Sequence, residues 1–192
     1  MRFFLALAFC LFSVFLFSQE TTAIEYSPVG AFDWSMFKGK VNPHHLEVMG
    51  KNTGAVTVSS LSYKSELRGR SAMIKISALF LPSKSWTLYP KLEHAEEALN
   101  HEKRHFDICE IYARKIRQEI SNARLNRYNF NAEVGSIFKK LVTEYRAMQT
   151  RYDSETRHSV DREQQKKWNS YIDSQLASLS DYSHPTVAVT LN

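Results

Sequence analysis

No glycine or proline falls between residues 91 and 134. Within that stretch Ala95, Leu99, Phe106, Cys109, Tyr112, Ile116 and Ile120 recur at helical spacing. An uninterrupted run with a 3.6-residue period has one good solution, a long amphipathic helix. We expect it over residues 91–123, with Pro90 at its first turn. A helix of that length must lay its apolar stripe on something, and the rest of the chain has to supply it.

The segments before it supply strands. Residues 31–39, AFDWSMFKG, are aromatic-rich, and 42–54 form a loop region around Pro43, Gly50 and Gly54. Residues 55–63, AVTVSSLSY, carry β-branched side chains and read as a strand with a bulge at Ser59-Ser60. After Gly69, Ala72, Ile74, Ile76, Ala78 and Phe80 alternate with Met73, Lys75, Ser77 and Leu79, the period-two pattern of a half-buried strand. Pro82 ends it. Beyond the long helix, Ile137, Leu141, Tyr145 and Met148 mark a second helix over 134–150, followed by a polar linker, 151–160. Asp161 and Gln164 have capping-box spacing and open a third helix over 162–180, striped by Trp168, Ile172, Leu176 and Leu179. The tail SHPTVAVTLN is either a late strand or loose. Strands first and helices after make an α+β fold: a small N-terminal β-sheet, a long helix and two further helices.

The first residues are of another kind. MRFFLALAFCLFSVFLFS places one positive charge, Arg2, before an apolar run, then small or polar residues. This is the layout of a secretory signal peptide over residues 1–18, cut near Ser18 or after Ala23. The run lacks a basic stop-transfer flank, so we expect no membrane attachment after cleavage, with a retained N-terminal anchor as the lesser reading. The expected product is a single domain, 24–192, exported to the periplasm or the extracellular space. Cys109 is the only cysteine left, so no intramolecular disulfide forms and the core, with or without a metal, must hold the fold. Cys109 itself lies on the apolar stripe and reads as a small buried hydrophobe. The net charge of +5 is diffuse, with no lysine/arginine stripe, which argues against a nucleic-acid partner.

The long helix carries His101-Glu102-x-x-His105. Positions i and i+4 share a helix face, so both imidazoles can reach one ion, while Glu102 is offset and can reach a water beside it. A zinc ion there lowers the pKa of water toward neutrality, and Glu102 would take the proton as general base. A catalytic zinc needs a third protein ligand, and Ile111 stands where an extended motif has another histidine. His158, just before the third helix, is the attractive candidate, with Glu133, Glu144 and Glu155 as alternatives. His94 lies about 10 Å along the helix from His101, too far to share the ion. His44-His45 reads as a loop pair, and His184 carries no assignment. Asp107 reads first as a cap or surface pair and second as a support for a ligand histidine, and Glu110–Arg114 reads as a solvated i,i+4 pair. Tyr152 reads first as a packing residue and second as an oxyanion donor.

LNHEKRHFDICEIYARKIRQEI, together with DWSMFKG (33–39), SALFLPSKSW (77–86) and YDSETRHS (152–159), resembles a family of uncharacterised exported bacterial proteins predicted to be zinc-dependent proteases, grouped with the zincins. The resemblance covers most of the chain after residue 18. It implies a zincin-like metallopeptidase domain, Zn2+ on His101 and His105, Glu102 as base, and His158 as third ligand. The family pattern has glycine after that histidine, where this chain has Ser159. It also implies a peptide or protein substrate lying extended along an edge strand beside the active helix; 72–80 is the candidate, with an ordinary core strand as the equal alternative. A non-catalytic envelope scaffold with a structural or vestigial zinc is the rival reading. Substrate preference and oligomeric state are not legible here.

Overall fold

The computed structural model describes residues 23–27, 30–41, 54–88 and 95–192. The signal-peptide reading of 1–18, Pro90, His44, His45 and His94 lie outside them. Among the described residues the fold is α+β, with antiparallel sheets and three α-helices.

Strand β1 is Ile24–Glu25, β2 is Ala55–Val56, β3 is Ser59–Arg68, β4 is Ser71–Phe80, β5 is Trp86–Thr87 and β6 is Thr186–Thr190. Strands β3 and β4 form a ten-residue hairpin whose register runs from Arg68↔Ser71 to Ser59↔Phe80. Its two-residue turn opens with Gly69 at φ 61°, a conformation that glycine adopts without strain. The opposite edge of β4 pairs with β6 at one end and β1 at the other. The tail is therefore a strand, with Val187 and Val189 partly buried against the core. Ala72, Ile74, Ile76, Ala78 and Phe80 are buried, as alternation requires of the face turned to the helices. Each fully buried isoleucine contributes roughly 1.5–3 kcal/mol.

The expected 55–63 strand divides. Its first part, β2, pairs with β5 in a separate two-stranded sheet through Ala55↔Thr87 and Val56↔Trp86. The chain then passes Thr57-Val58 into β3. The break falls two residues before the expected bulge because Ser85 Oγ takes the Val58 N–H at 2.9 Å, drawing it out of the main ladder.

Helix α1, Ala95–Asn122, lies between the main sheet and helices α2 (Phe130–Thr156) and α3 (Arg162–Ser178). Covered on several sides, it buries Phe106, Ile108, Cys109, Ile111, Tyr112, Ala113, Ile116 and Ile120, more than one stripe. Its charged residues are enclosed too, which corrects the surface readings. Glu110 accepts from Arg114 Nε and Arg117 Nη1, each at 2.9 Å, and all three are buried. Arg117 also donates to the carbonyls of Ile76 and Tyr182, stitching helix, sheet and tail. Asp107, buried as well, accepts from Tyr26, Lys103 and Arg104 and so anchors the segment after β1.

Helix α2 is longer than expected at both ends. Gly135 lies inside it facing open space, where an added Cβ would meet nothing within 4 Å. The supposed linker is helical to Thr156, held by the buried side chains of Tyr152 and Thr156. Helix α3 begins as expected: Asp161 Oδ1 accepts the Gln164 N–H at 3.0 Å.

Candidate metal centre

One turn of α1 sets His101 and His105 over the same spot, with their rings edge to face at 4.8 Å between centroids. Their Nε2 atoms are 3.3 Å apart. The third member comes from the far half of α2. Asp153 Oδ1 lies 3.2 Å from His101 Nε2 and 3.0 Å from His105 Nε2. Among the described residues these three offer ligand atoms that converge as a metal site requires.

The spacing has a direct reading. Ligands about 2.0–2.1 Å from a tetrahedral zinc are about 3.3 Å from one another. The observed edges fit one face of that tetrahedron.

Hydrogen bonds on the outer sides of the rings fix which nitrogen faces inward. Gln149 Nε2 donates to the His105 carbonyl at 2.8 Å, so its Oε1 faces His105 Nδ1, 2.5 Å away, and accepts its proton. Gln165 Nε2 donates to Asn169 Oδ1 at 2.9 Å and to the Tyr152 hydroxyl at 2.8 Å. Its Oε1 then accepts from His101 Nδ1 at 3.0 Å. With both protons on Nδ1, both Nε2 lone pairs point at Asp153. Three electron-rich atoms in mutual contact call for a cation between them.

Burial works to lower the pKa of His105, but the hydrogen bond and charge of Asp153 outweigh it and carry it up to about 9. Burial would raise that of Asp153, yet the two imidazoles hold it far below the usual carboxylate range. The cluster is thus built to stabilise positive charge, whether a proton or a metal ion.

Glu102 is buried, and its carboxylate Oε2 has no hydrogen-bond partner among the described residues. It lines a cavity of about 280 Å3 together with His101, His105, Asp153 and His158. A buried carboxylate oxygen without a partner is costly unless something polar completes its surroundings, and a water in the cavity would do so.

His158 is not in the three-atom cluster. It sits at the cavity rim, its side chain 71% exposed, with Nδ1 3.5 Å from Asp153 Oδ1. Arg157, His158 and Ser159 all have positive φ, at 50°, 53° and 71°. Three consecutive non-glycine residues in the left-handed region store roughly 1–2 kcal/mol each. Ser159 occupies the position where the family resemblance calls for glycine.

The other ligand alternatives are engaged elsewhere. Glu133 Oε2 caps the Asn126 N–H, Glu155 bonds Arg151 and Trp168, and Glu144 is exposed. His184 Nδ1 accepts from the Thr186 N–H at 3.2 Å, outside the cavity. Tyr152 is buried beneath His101, stacked at 4.7 Å, and its hydroxyl donates to the His101 carbonyl. Its hydroxyl also lies 3.1 Å from Gln165 Oε1, so Tyr152 packs beneath the cluster and links helices α1 and α3. Asp153, Gln149 and Gln165 carried no role in the sequence reading.

The 72–80 segment cannot be the substrate edge, because β4 is the central strand. The wall of the cavity is instead Gly54–Ser59. The Gly54 carbonyl accepts from Leu88, and Val58 uses both backbone groups, toward Ser85 and Leu81. Alternation turns the backbone groups of Ala55 and Thr57 to the other edge.

A model of the family described as "Bacterial protein of unknown function (DUF922)" matches residues 85–159. That span runs from just before β5 to the end of the strained turn and takes in His101, Glu102, His105, Asp153 and His158. No curated protein and no solved structure matches the chain.

Proposed function

We propose that this chain is an exported zinc-dependent metallopeptidase of zincin-like design, with zinc held by His101, His105 and Asp153. The observation that carries the reading is the convergence of His101 Nε2, His105 Nε2 and Asp153 Oδ1 at 3.0–3.3 Å. Two imidazoles and one carboxylate suit zinc, and three protein ligands leave a position open for chemistry.

Zinc bound there supplies a Lewis acid and brings the pKa of water toward neutrality. Glu102 faces the same cavity and takes the proton of the attacking water, then returns it to the leaving amine as the C–N bond breaks. The Gly54–Ser59 wall supports the substrate reading, because an extended peptide can pair with the outward edge at Ala55 and Thr57.

One observation favours a second reading. His158 Nδ1 is 3.5 Å from Asp153 Oδ1, near enough for a modest rotation to close a four-ligand, structural zinc site. Zinc-loaded protein incubated with a mixed peptide library separates the two. Cleavage by the wild type, lost in Glu102→Gln with zinc retained, supports the peptidase. No cleavage by protein that holds zinc supports the structural site.

A further inference from the structure

Both ligand histidines lean on neutral amides. His105 Nδ1 donates to Gln149 Oε1, and His101 Nδ1 donates to Gln165 Oε1. Each amide is locked by its own donors. Gln149 holds the backbone carbonyl of the very histidine that it orients. Gln165 is held by Asn169 from α3 and by Tyr152 from α2. The oriented ring cannot turn over without breaking bonds to other helices.

Charge gives the arrangement a second meaning. Among the described residues, Glu102 and Asp153 are the acidic ones in the cavity lining. Two carboxylates balance one divalent cation when both imidazoles and both of their supports are neutral. A carboxylate in place of either glutamine would add a negative charge in a buried place.

We infer that Gln149 and Gln165 are positioning residues, which hold both imidazoles in the Nδ1–H tautomer for one divalent cation while leaving the loaded site electrically balanced. The inference rests on the metal reading and not on peptide hydrolysis.

Zinc affinity of the mature protein, measured by competition with a chromophoric chelator, tests it. Gln149→Leu and Gln165→Leu should each bind zinc about 10–100-fold more weakly. Gln165→Glu keeps the acceptor for His101 but loses its donations to Asn169 and to the Tyr152 hydroxyl and adds a buried charge, so it should bind zinc more tightly than Gln165→Leu. The visible absorption of the cobalt-substituted protein should change in the leucine variants, since it reports ligand geometry. Leucine variants of wild-type affinity would overturn the inference. So would a Gln165→Glu variant as weak as Gln165→Leu, which would show that the amide serves packing alone. Wild-type protein that takes up no zinc would remove the metal reading itself, and this inference with it.

Discussion

Asp153 Oδ1 stands 3.0 Å from His105 Nε2, joining the third turn of α1 to the last turns of α2. This contact makes a motif on one helix into a site on two. It also ties the site to the stability of the ion-free protein. The folded pKa of His105 is raised from 6.5 to about 9, so its protonated pair with Asp153 stabilises the fold fully below about pH 6.5. That contribution is lost as pH rises through 9. Chelator-treated protein should therefore show a falling Tm from pH 6.5 to 9, and Asp153→Asn should flatten the decline. An equally steep decline in Asp153→Asn would remove the pair as its cause.

The turn after α2 predicts a stabilising substitution. Ser159 holds φ 71°, which glycine adopts freely. Ser159→Gly relieves roughly 1–2 kcal/mol of strain and costs about 0.5–1 kcal/mol in unfolded-chain entropy. The net gain should be about 0.5–1 kcal/mol, visible in urea unfolding. An unchanged or lower midpoint would show that the surroundings, not the backbone, set the turn.

The buried charges of α1 predict a large loss. Glu110 neutralises Arg114 and Arg117 inside the protein. Glu110→Ala leaves two guanidiniums without their carboxylate and should cost about 3–5 kcal/mol in denaturant unfolding. A cost below 1 kcal/mol, the scale of an exposed pair, would contradict the burial described here.

Much of this architecture is legible in residue order. The glycine-free run gives α1, the alternation of Ala72 to Phe80 gives β4, and the i,i+4 histidines give two thirds of the cluster. Asp153 was missed because YDSETRH is polar and reads as linker. A signal was present: the stripe Leu141, Tyr145, Met148 continues without a break to Tyr152 and Thr156, which keeps the segment helical. That phase puts Gln149 and Asp153, four apart, on one face. The buried Glu110–Arg114–Arg117 set looks like an ordinary solvated pair, because nothing local says that a helix is covered on several sides. The departure of β2 from the main sheet depends on Ser85, far along the chain, and has no local signature.

The same contrast between His158 and Asp153 gives the most direct test. Zinc per chain should be measured in the purified protein, in Asp153→Ala and in His158→Ala, each checked for folding by circular dichroism. The account predicts about one zinc in the wild type. It predicts near-complete loss in Asp153→Ala and full retention in His158→Ala. Zinc retained in Asp153→Ala and lost in His158→Ala would contradict it.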